Sequence, residues 1–572
     1  MAIQVVKLNV TGARGPVGPT GPTGGSGNSV ASKSALKAID ASNGDSWLLG
    51  ASGIYGTFTW RTGDYSAQVA SDPREGLYIV STVAGKGATV GCWVRQWDEV
   101  NGRPEWFGAQ VNNSGFDCLA ALMDCVALCP VTLLRSADYW ISGRWNIATA
   151  YRTIVSEVVS DGFNTGHGAR IISTNKAQDA CRVGPTTTPT DSNGCLRNVT
   201  IRGVTFMHDA VPNFPAEGSE DSAIAALRCE YLIHASIADN CAQNPVAGFV
   251  FYGVIASHIV GNRAFRAAKV DSVLDLFIGF MTAGPAATAL GVIGNNASLY
   301  TNRNNASVAG PALAITAGRR IGFRHVGDIS DQFHTDFEGL ACGVQIIGNG
   351  ETNTGVGNSD FRYISPVIDQ YEGTAYDVQN IARNGCIRFY DIYSGSPANM
   401  LFAMHLQNIG GTVIVSGGDM YATPDNNSIA IGYISSTGTL KVSGVAMHNF
   451  ARPIGIVDSK HFDISAEISN HDNTPISGTY PAVGLLNSQI GRINVSVVGK
   501  ANSYAQGVVT FDALCDKIVI DPTLIDPACI QSGAANKVVL NSSVQITAPG
   551  NYTSAGSSGT AGNGILVHGI TS

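Results

Sequence analysis

The sequence predicts an all-β solenoid, a parallel β-helix, and three observations carry that expectation. First, 67 of the 572 residues are glycine and only 14% are charged. That is too little charge to solvate long helices and suits strands and turns wetted by Asn, Ser and Thr. Second, apolar pairs five residues apart recur at Ile201 and Phe206, Leu232 and Ile237, and Val260 and Phe265, with steps of 31 and 28 residues. Starts of the same kind follow at Val442, Phe462, Ile493, Ile518 and Val538, with steps of 20, 31, 25 and 20. Coils of about 20 residues with variable loops give such a series, because each coil must add an inward side chain to one continuous stack. Third, strand and turn signals run unbroken from about residue 195 towards the C-terminus, further than a β-sandwich requires. A chain this long would otherwise divide into three or four domains of roughly 150 residues, a rule that repeat folds escape by growing in one direction.

In chain order, the first feature is "GARGPVGPTGPTGG", with glycine at 12, 15, 18, 21 and 24. A Gly-X-Y period serves a collagen-like triple helix, where only glycine fits at the axis. The same composition also makes a stiff polyproline-like linker, and both readings stay open on this segment alone. Residues 1–30, which carry these triplets, are taken as one N-terminal segment. "GSGNSVASKS" then reads as a flexible joint. Between Asp45 and Ala109, aromatic and β-branched residues alternate with turn formers, which predicts a small β-rich module, bounded here as 31–109.

Within "GRPEWFGAQVNNSGFDCLAALMDCVALC", Asp117 is placed to cap a helix whose apolar residues Leu119, Leu122, Val126 and Cys129 recur at helical spacing. Cys118, Cys125 and Cys129 fall on one face of it and read as buried free thiols. This stretch resembles the entry segment of bacteriophage tailspike and capsule-depolymerase proteins. In that family a Trp-Phe-Gly-Ala turn, here Trp106 to Ala109, is followed by a loop and a short amphipathic helix carrying Gly115, Asp117, Ala120, Ala121 and Leu122. The module before it is similar to the one that often precedes this turn, through Phe58, Trp60, Gly63, Asp64, Ser66, Gly76, Tyr78, Trp93 and Arg95. "VNNSGFD" lacks a further aspartate common in the family's loop, so no metal or charge role is carried over to it. The resemblance covers about residues 50–130. It implies that residues 110–130 cap a right-handed parallel β-helix spanning 131–530, with a C-terminal coil and tail at 531–572.

The clearest internal repeat is "DFEGLACGVQII" at 336–347 against "QYEGTAYDVQNI" at 370–381, 34 residues apart. Equal phase would place Glu338 and Glu372 at equivalent points of nearby coils, about 4.8 Å apart if the coils adjoin. Hydrolysis of a glycosidic bond needs one carboxyl held protonated for the leaving oxygen and a second ionised to activate water or attack the sugar. Close carboxylates meet that need because each raises the other's proton affinity. Glu338 and Glu372, with Asp336 and Asp369 beside them, form the strongest such set. Against this, aromatic-Glu-Gly is also a serviceable turn, and Arg362 can satisfy a stacked Glu pair. The acids of "EGSEDS" (Glu217, Glu220, Asp221) and "KVDSVLD" (Asp271, Asp275) read as solvated loops.

Elimination would need a base and a cation to hold a uronate carboxylate. "FRHVGDISDQFH" offers Arg324, His325 and His334, and Tyr371 adjoins Glu372. Sugar binding asks for aromatic faces in a groove, and Tyr300, Phe333, Tyr363, Tyr371, Tyr376, Tyr390, Tyr393 and Tyr421 fall within 295–425. Tyr371, Tyr376, Arg362 and His334 are the expected substrate-binding residues.

A net charge of -8 with scattered basic residues gives no footprint for nucleic acid. No Walker loop, dinucleotide fingerprint, HExxH, zinc-spaced Cys/His set or G-x-S-x-G elbow occurs, so no cofactor or metal is expected. The start has no signal-peptide pattern and no run long enough to span a bilayer, so synthesis in a cytoplasm without membrane insertion is expected. The resemblance implies a homotrimeric virion tail appendage, attached to phage tail or baseplate proteins through its N-terminus and contacting bacterial capsule or O-antigen. Its activity would be endo-hydrolysis, with β-elimination or a non-enzymatic receptor-binding spike as the alternatives.

Overall fold

The computed structural model describes residues 28–51, 53–158, 168–216, 219–243, 245–266, 276–283, 287–299, 320–326, 329–338, 342–348, 361–364, 367–369, 373–395, 401–422, 428–470, 481–499, 509–511, 515–520, 524–525 and 565–567. The Gly-X-Y segment, Tyr371, Glu372 and Val538 lie outside them. The chain divides into two compact units, residues 1–98 with 105–108, and 99–104 with 109–572.

The first unit is a five-stranded, mainly antiparallel sheet in the order Ser29–Val30, Ser46–Leu49, Gly56–Thr62, Gly91–Arg95, Tyr78–Ile79. Two short helices, Lys33–Lys37 and Ser66–Ser71, accompany it. Its core gathers Leu36, Leu49, Phe58, Trp60, Ile79 and Trp93, with Trp60 and Trp93 edge-on at 5.6 Å. The expected alternation of aromatic and turn residues is thus a folded β module. Buried Asp72 closes one turn by accepting hydrogen bonds from the backbone N–H of Gly76, Leu77 and Tyr78 at 2.9, 2.6 and 2.9 Å.

In the second unit every strand pairing is parallel, and the chain passes repeatedly between a long sheet of 23 described strands and a second of 13. Successive coils therefore stack, as the sequence predicts. The helix Leu119–Leu128 stands before the first coils. Asp117 Oδ1 accepts from Leu119 N at 3.0 Å and Ser142 N at 3.2 Å, tying the helix start to a strand turn. Cys118, Cys125 and Cys129 are fully buried. In the 13-stranded sheet an inward column runs Phe249, Phe280, Phe323, Val344, Tyr376, Met404, Ile431, Ile454, Val483, all essentially unexposed. Burying each such side chain stabilises by about 1.5–3 kcal/mol, so the column is a large part of what holds the coils.

Five successive strands of that sheet, Thr374–Gln379, Phe402–Gln407, Ile429–Ile434, Arg452–Val457 and Val483–Leu486, end in a left-handed corner. Asn380, Asn408, Ser435, Asp458 and Asn487 have φ of 58, 54, 50, 50 and 45°, a conformation that short polar side chains tolerate best. Ser436, Ser459 and Ser488 follow one residue later and are fully buried, Ser436 Oγ accepting from Ile409 N at 3.0 Å and Ser459 Oγ from Ser436 N at 3.2 Å. The long sheet bends mid-strand at a similar column, Asp391, Gly417 and Gly444, with φ of 48, 77 and 65°.

Register departs from the sequence expectation in a regular way. Ile201 stacks on Ile237 and Ile259, and Phe206 on Ala242 and Ala264. Leu232 instead pairs with Leu196 in a separate two-stranded sheet, and Val260 is 39% exposed. Towards the C-terminus two neighbouring inward rows exist, Leu440–Phe462–Gly491–Ile518 and Val442–Ile464–Ile493–Ile520, and the predicted series alternates between them. No described helix is long and apolar enough to cross a membrane.

Candidate functional site

Strand pairing in the long sheet places two acidic residues next to each other. Glu338, at the end of the strand Ile329–Glu338, pairs with Asp369, at the end of Val367–Asp369. Neighbouring strands are about 4.8 Å apart, so these backbones adjoin. The row continues through Gly395, Tyr421, His448 and Ser469 on the next four strands. A companion row two residues earlier runs Asp336, Val367, Tyr393, Asp419, Ala446, Glu467. Between them Ser394, Met420, Met447 and Ile468 are buried. Because side chains alternate across a strand, the described side chains of Tyr393, Asp419, Tyr421, His448 and Glu467 share the opposite, outer face.

The described part of that face is aromatic and exposed. Tyr393 is 36% and Tyr421 39% exposed, with ring centroids 5.8 Å apart. His448 stacks on Tyr421 at 4.4 Å and 17°. Its orientation is fixed by both ring nitrogens, Nδ1 at 2.6 Å from Ser469 Oγ and Nε2 at 3.4 Å from Asp419 Oδ1. Burial, and then the Asp419 carboxylate, push the Tyr421 phenol above its usual pKa, so Tyr421 stays a neutral hydroxyl. Gly395 stands in register between Asp369 and Tyr421, whose backbone positions are about two strand spacings apart. Paired acids can transfer protons, and aromatic faces can stack on a sugar ring.

A second polar row lies on the outer side of the 13-stranded sheet, where Arg324, Gln345, Asp377 and His405 are ladder neighbours. Arg324 Nη1 donates to Gln345 Oε1, and Gln345 Nε2 donates to Asp377 Oδ2 at 3.1 Å. Asp377 also accepts from Gln379 Nε2 at 2.9 Å and faces His405 Nδ1 at 2.9 Å. Arg324 Nε reaches Asp221 Oδ1 at 3.1 Å. Burial alone would raise the Asp377 carboxyl, but the hydrogen bonds from His405, Gln379 and Gln345 outweigh it and hold the group below its usual range. Arg324, Gln345 and Asp377 are each under 10% exposed, so this is a self-satisfied network more than an open groove.

Neither a protein-family model nor a curated relative matches the sequence. Similar solved structures are mostly phage tailspikes. The full-length tailspike protein 2 of Escherichia coli O157:H7 bacteriophage CAB120 is 12% identical at a TM-score of 0.31, over 86% of this chain and 51% of its own. This chain thus spans about half of that protein's length. The tailspike of Acinetobacter baumannii bacteriophage Fri1, described as a capsular polysaccharide depolymerase, is 11% identical at 0.33, over 85% of this chain and 75% of its own. The family 28 exopolygalacturonase of Yersinia enterocolitica is 9% identical at 0.39, over 86% and 85%.

Among the residues expected from the sequence, Glu338, Asp369 and Asp336 fall in the two adjoining rows. Glu372 and Tyr371 lie outside the described residues. Arg362 pairs with Gln332 and Arg388, in a different row from Glu338, and His334 pairs with Ile293. Tyr376 requires correction. It is fully buried in the inward column, its ring edge-on to Phe389 at 5.4 Å and its hydroxyl donating to Tyr393 O at 3.2 Å, so it is a core residue and not a sugar platform. Of the lyase set, Arg324 joins the second row, while His325 pairs with buried Thr282 and Ile346. Asp419, His448, Asp377 and His405 escaped sequence reading because each is a lone polar residue in an ordinary strand and acquires neighbours only through register. Among the described residues no group of three His, Cys, Asp or Glu side chains gathers around a common point fit for a metal ion.

Proposed function

We propose that the chain is a right-handed parallel β-helix spike of a phage virion, trimeric and anchored through its N-terminal segment, that binds bacterial surface polysaccharide and cleaves it by endo-glycosidic hydrolysis. The observation that supports this is the row joining Glu338 and Asp369 to the exposed Tyr421–His448 stack. In this reading the glycan lies across the strands, one ring stacked on Tyr393 or Tyr421 and the scissile bond over the acid pair. One carboxyl, its pKa raised by the other's charge, donates its proton to the leaving oxygen. The second attacks the sugar and is later displaced by water. Acids on neighbouring strands favour this retaining course, which needs about 5 Å, over the roughly 6.5–9.5 Å that admits a water between them. Asp336, two residues before Glu338, supports the field, and Glu372 is an alternative partner.

The test is incubation with host capsule or lipopolysaccharide, assaying new reducing ends and unsaturated-uronate absorbance. We expect new ends without that absorbance, and loss of cleavage in Glu338→Gln and Asp369→Asn with the assembly intact. Full activity in Asp369→Asn, with Glu338→Gln and Glu372→Gln inactive, moves the pair to Glu338 and Glu372; full activity in all three removes the hydrolytic assignment. The Asp377–His405 contact favours one second reading, β-elimination. There Asp377 would orient His405 so that Nε2, which has no partner among the described residues, takes the proton, and Arg324 would hold the uronate. That reading requires the unsaturated product and loss of it in His405→Gln.

A further inference from the structure

We infer that the sugars meeting the acid and aromatic rows carry no carboxylate: the groove takes neutral or N-acetylated units and turns uronates away. This rests on the hydrolytic reading of the same groove and names its substrate class. The two rows carry five acidic residues, Asp336, Glu338, Asp369, Asp419 and Glu467, from four strands. Neither row contains a Lys or Arg at any paired position from Asn296 and Ser298 through Glu467 and Ser469. Its one basic side chain is His448, which is already occupied by Asp419 and Ser469 and covered by Tyr421.

The same strands do carry cations, in another row. Arg362, Arg388 and Lys441 align with one another through Ile414, on the far side of the left-handed bend at Asp391, Gly417 and Gly444. Arg362, Arg388 and Lys441 thus stand before the bend, in a row that continues through Asp463, and the acidic row stands after it. A uronate seated on Tyr421 would lie within one Debye length, about 8–10 Å, of Asp419 and would meet no Lys or Arg in either row between Asn296 and Glu467. A neutral ring loses nothing there: it gains stacking on Tyr393 and Tyr421, and its hydroxyls donate to Asp419, whose side chain is 51% exposed.

The experiment is saturation-transfer NMR on the full chain with two probes of equal length, chitotetraose and tetragalacturonate, at low and high salt. Chitotetraose is expected to bind at least ten-fold tighter, and tetragalacturonate to gain affinity with salt and, several-fold, in the Asp419→Asn, Glu467→Gln double variant. Equal or tighter uronate binding, uronate binding unmoved by that double variant, or no transfer from chitotetraose at all would each overturn the inference. Failure of the hydrolytic reading is separate, since it is read by reducing ends in Glu338→Gln and Asp369→Asn whatever the probes do.

Discussion

Asn240 is the side chain whose removal tests the stacking argument most directly. It is 1% exposed, and it serves three groups. Its Oδ1 accepts from Val204 N at 3.0 Å, and its Nδ2 donates to Ile201 O and to Asn262 Oδ1, both at 3.0 Å. Asn262, one coil on, repeats the device by accepting from Asn240 N at 3.1 Å and donating to Ile237 O at 2.8 Å. Asn240→Leu keeps the approximate volume and strips all three side-chain bonds. Val204 N–H, on a fully buried residue, loses its acceptor at about 1–3 kcal/mol, and the two donated bonds are worth about 1 kcal/mol each. The expected loss is about 3–5 kcal/mol. Because solenoid coils are held by their neighbours, it should appear locally first. Hydrogen exchange at the Val204 amide should accelerate by about 10²–10⁴-fold, with a smaller effect at distant coils such as Ile454. Val204 protection unchanged in Asn240→Leu, or a stability change below about 0.5 kcal/mol, would refute the idea that these asparagines fasten coil to coil.

Three further outcomes follow from geometry. At Gly418, φ is 106° and an added Cβ would lie 2.0 Å from Ile392 O and 2.4 Å from Ile392 N, backbone atoms that cannot give way; Gly418→Ala should cost about 2–6 kcal/mol in denaturant unfolding. Gly444→Ala, with nothing nearer than 3.9 Å and φ of 65°, should cost only the left-handed penalty of about 1–2 kcal/mol. Ile490 is a β-branched residue at φ 57° and is 43% exposed, so Ile490→Asn should stabilise by about 1 kcal/mol, read from the denaturant midpoint. The Asp377 carboxyl sits below its ordinary pKa of 3.8, so its contribution is whole above that pH and is lost as pH falls through the lower folded-state value. Asp377→Asn should therefore be less stable than the natural protein at pH 7, with the gap closing in acid; a gap that is constant or widens between pH 7 and 3 contradicts the network.

Much of the fold is legible in the sequence because a strand's side-chain period is two: residues that alternate inward reveal a coil even when its neighbour is unknown. Register is not legible, for the same reason. Shifting a coil by two residues leaves every side chain on its own face, so the pattern is blind to the shift, and two of the departures have that form. The repeat pairs Val344 with Val378 at 34 residues, whereas the ladder pairs Val344 with Tyr376, two residues earlier. The C-terminal series steps between two inward rows that differ by two. Tyr376 read as a surface ring because an inward aromatic and an outward one look alike until a neighbour fixes the face. The consequence for the site is sharper than for the core. An inward stack of Val, Ile, Phe and Met accepts a two-residue error with little change in volume, but a pair of catalytic acids does not, since the slip changes which carboxyl stands opposite Glu338. The repeat pointed to Glu372, and the ladder puts Asp369 there. Outward chemistry in a solenoid is therefore assembled by loop lengths, which set register and vary from coil to coil. Tyr393, Asp419, Tyr421 and His448 come from three strands and share no motif, yet lie on one surface.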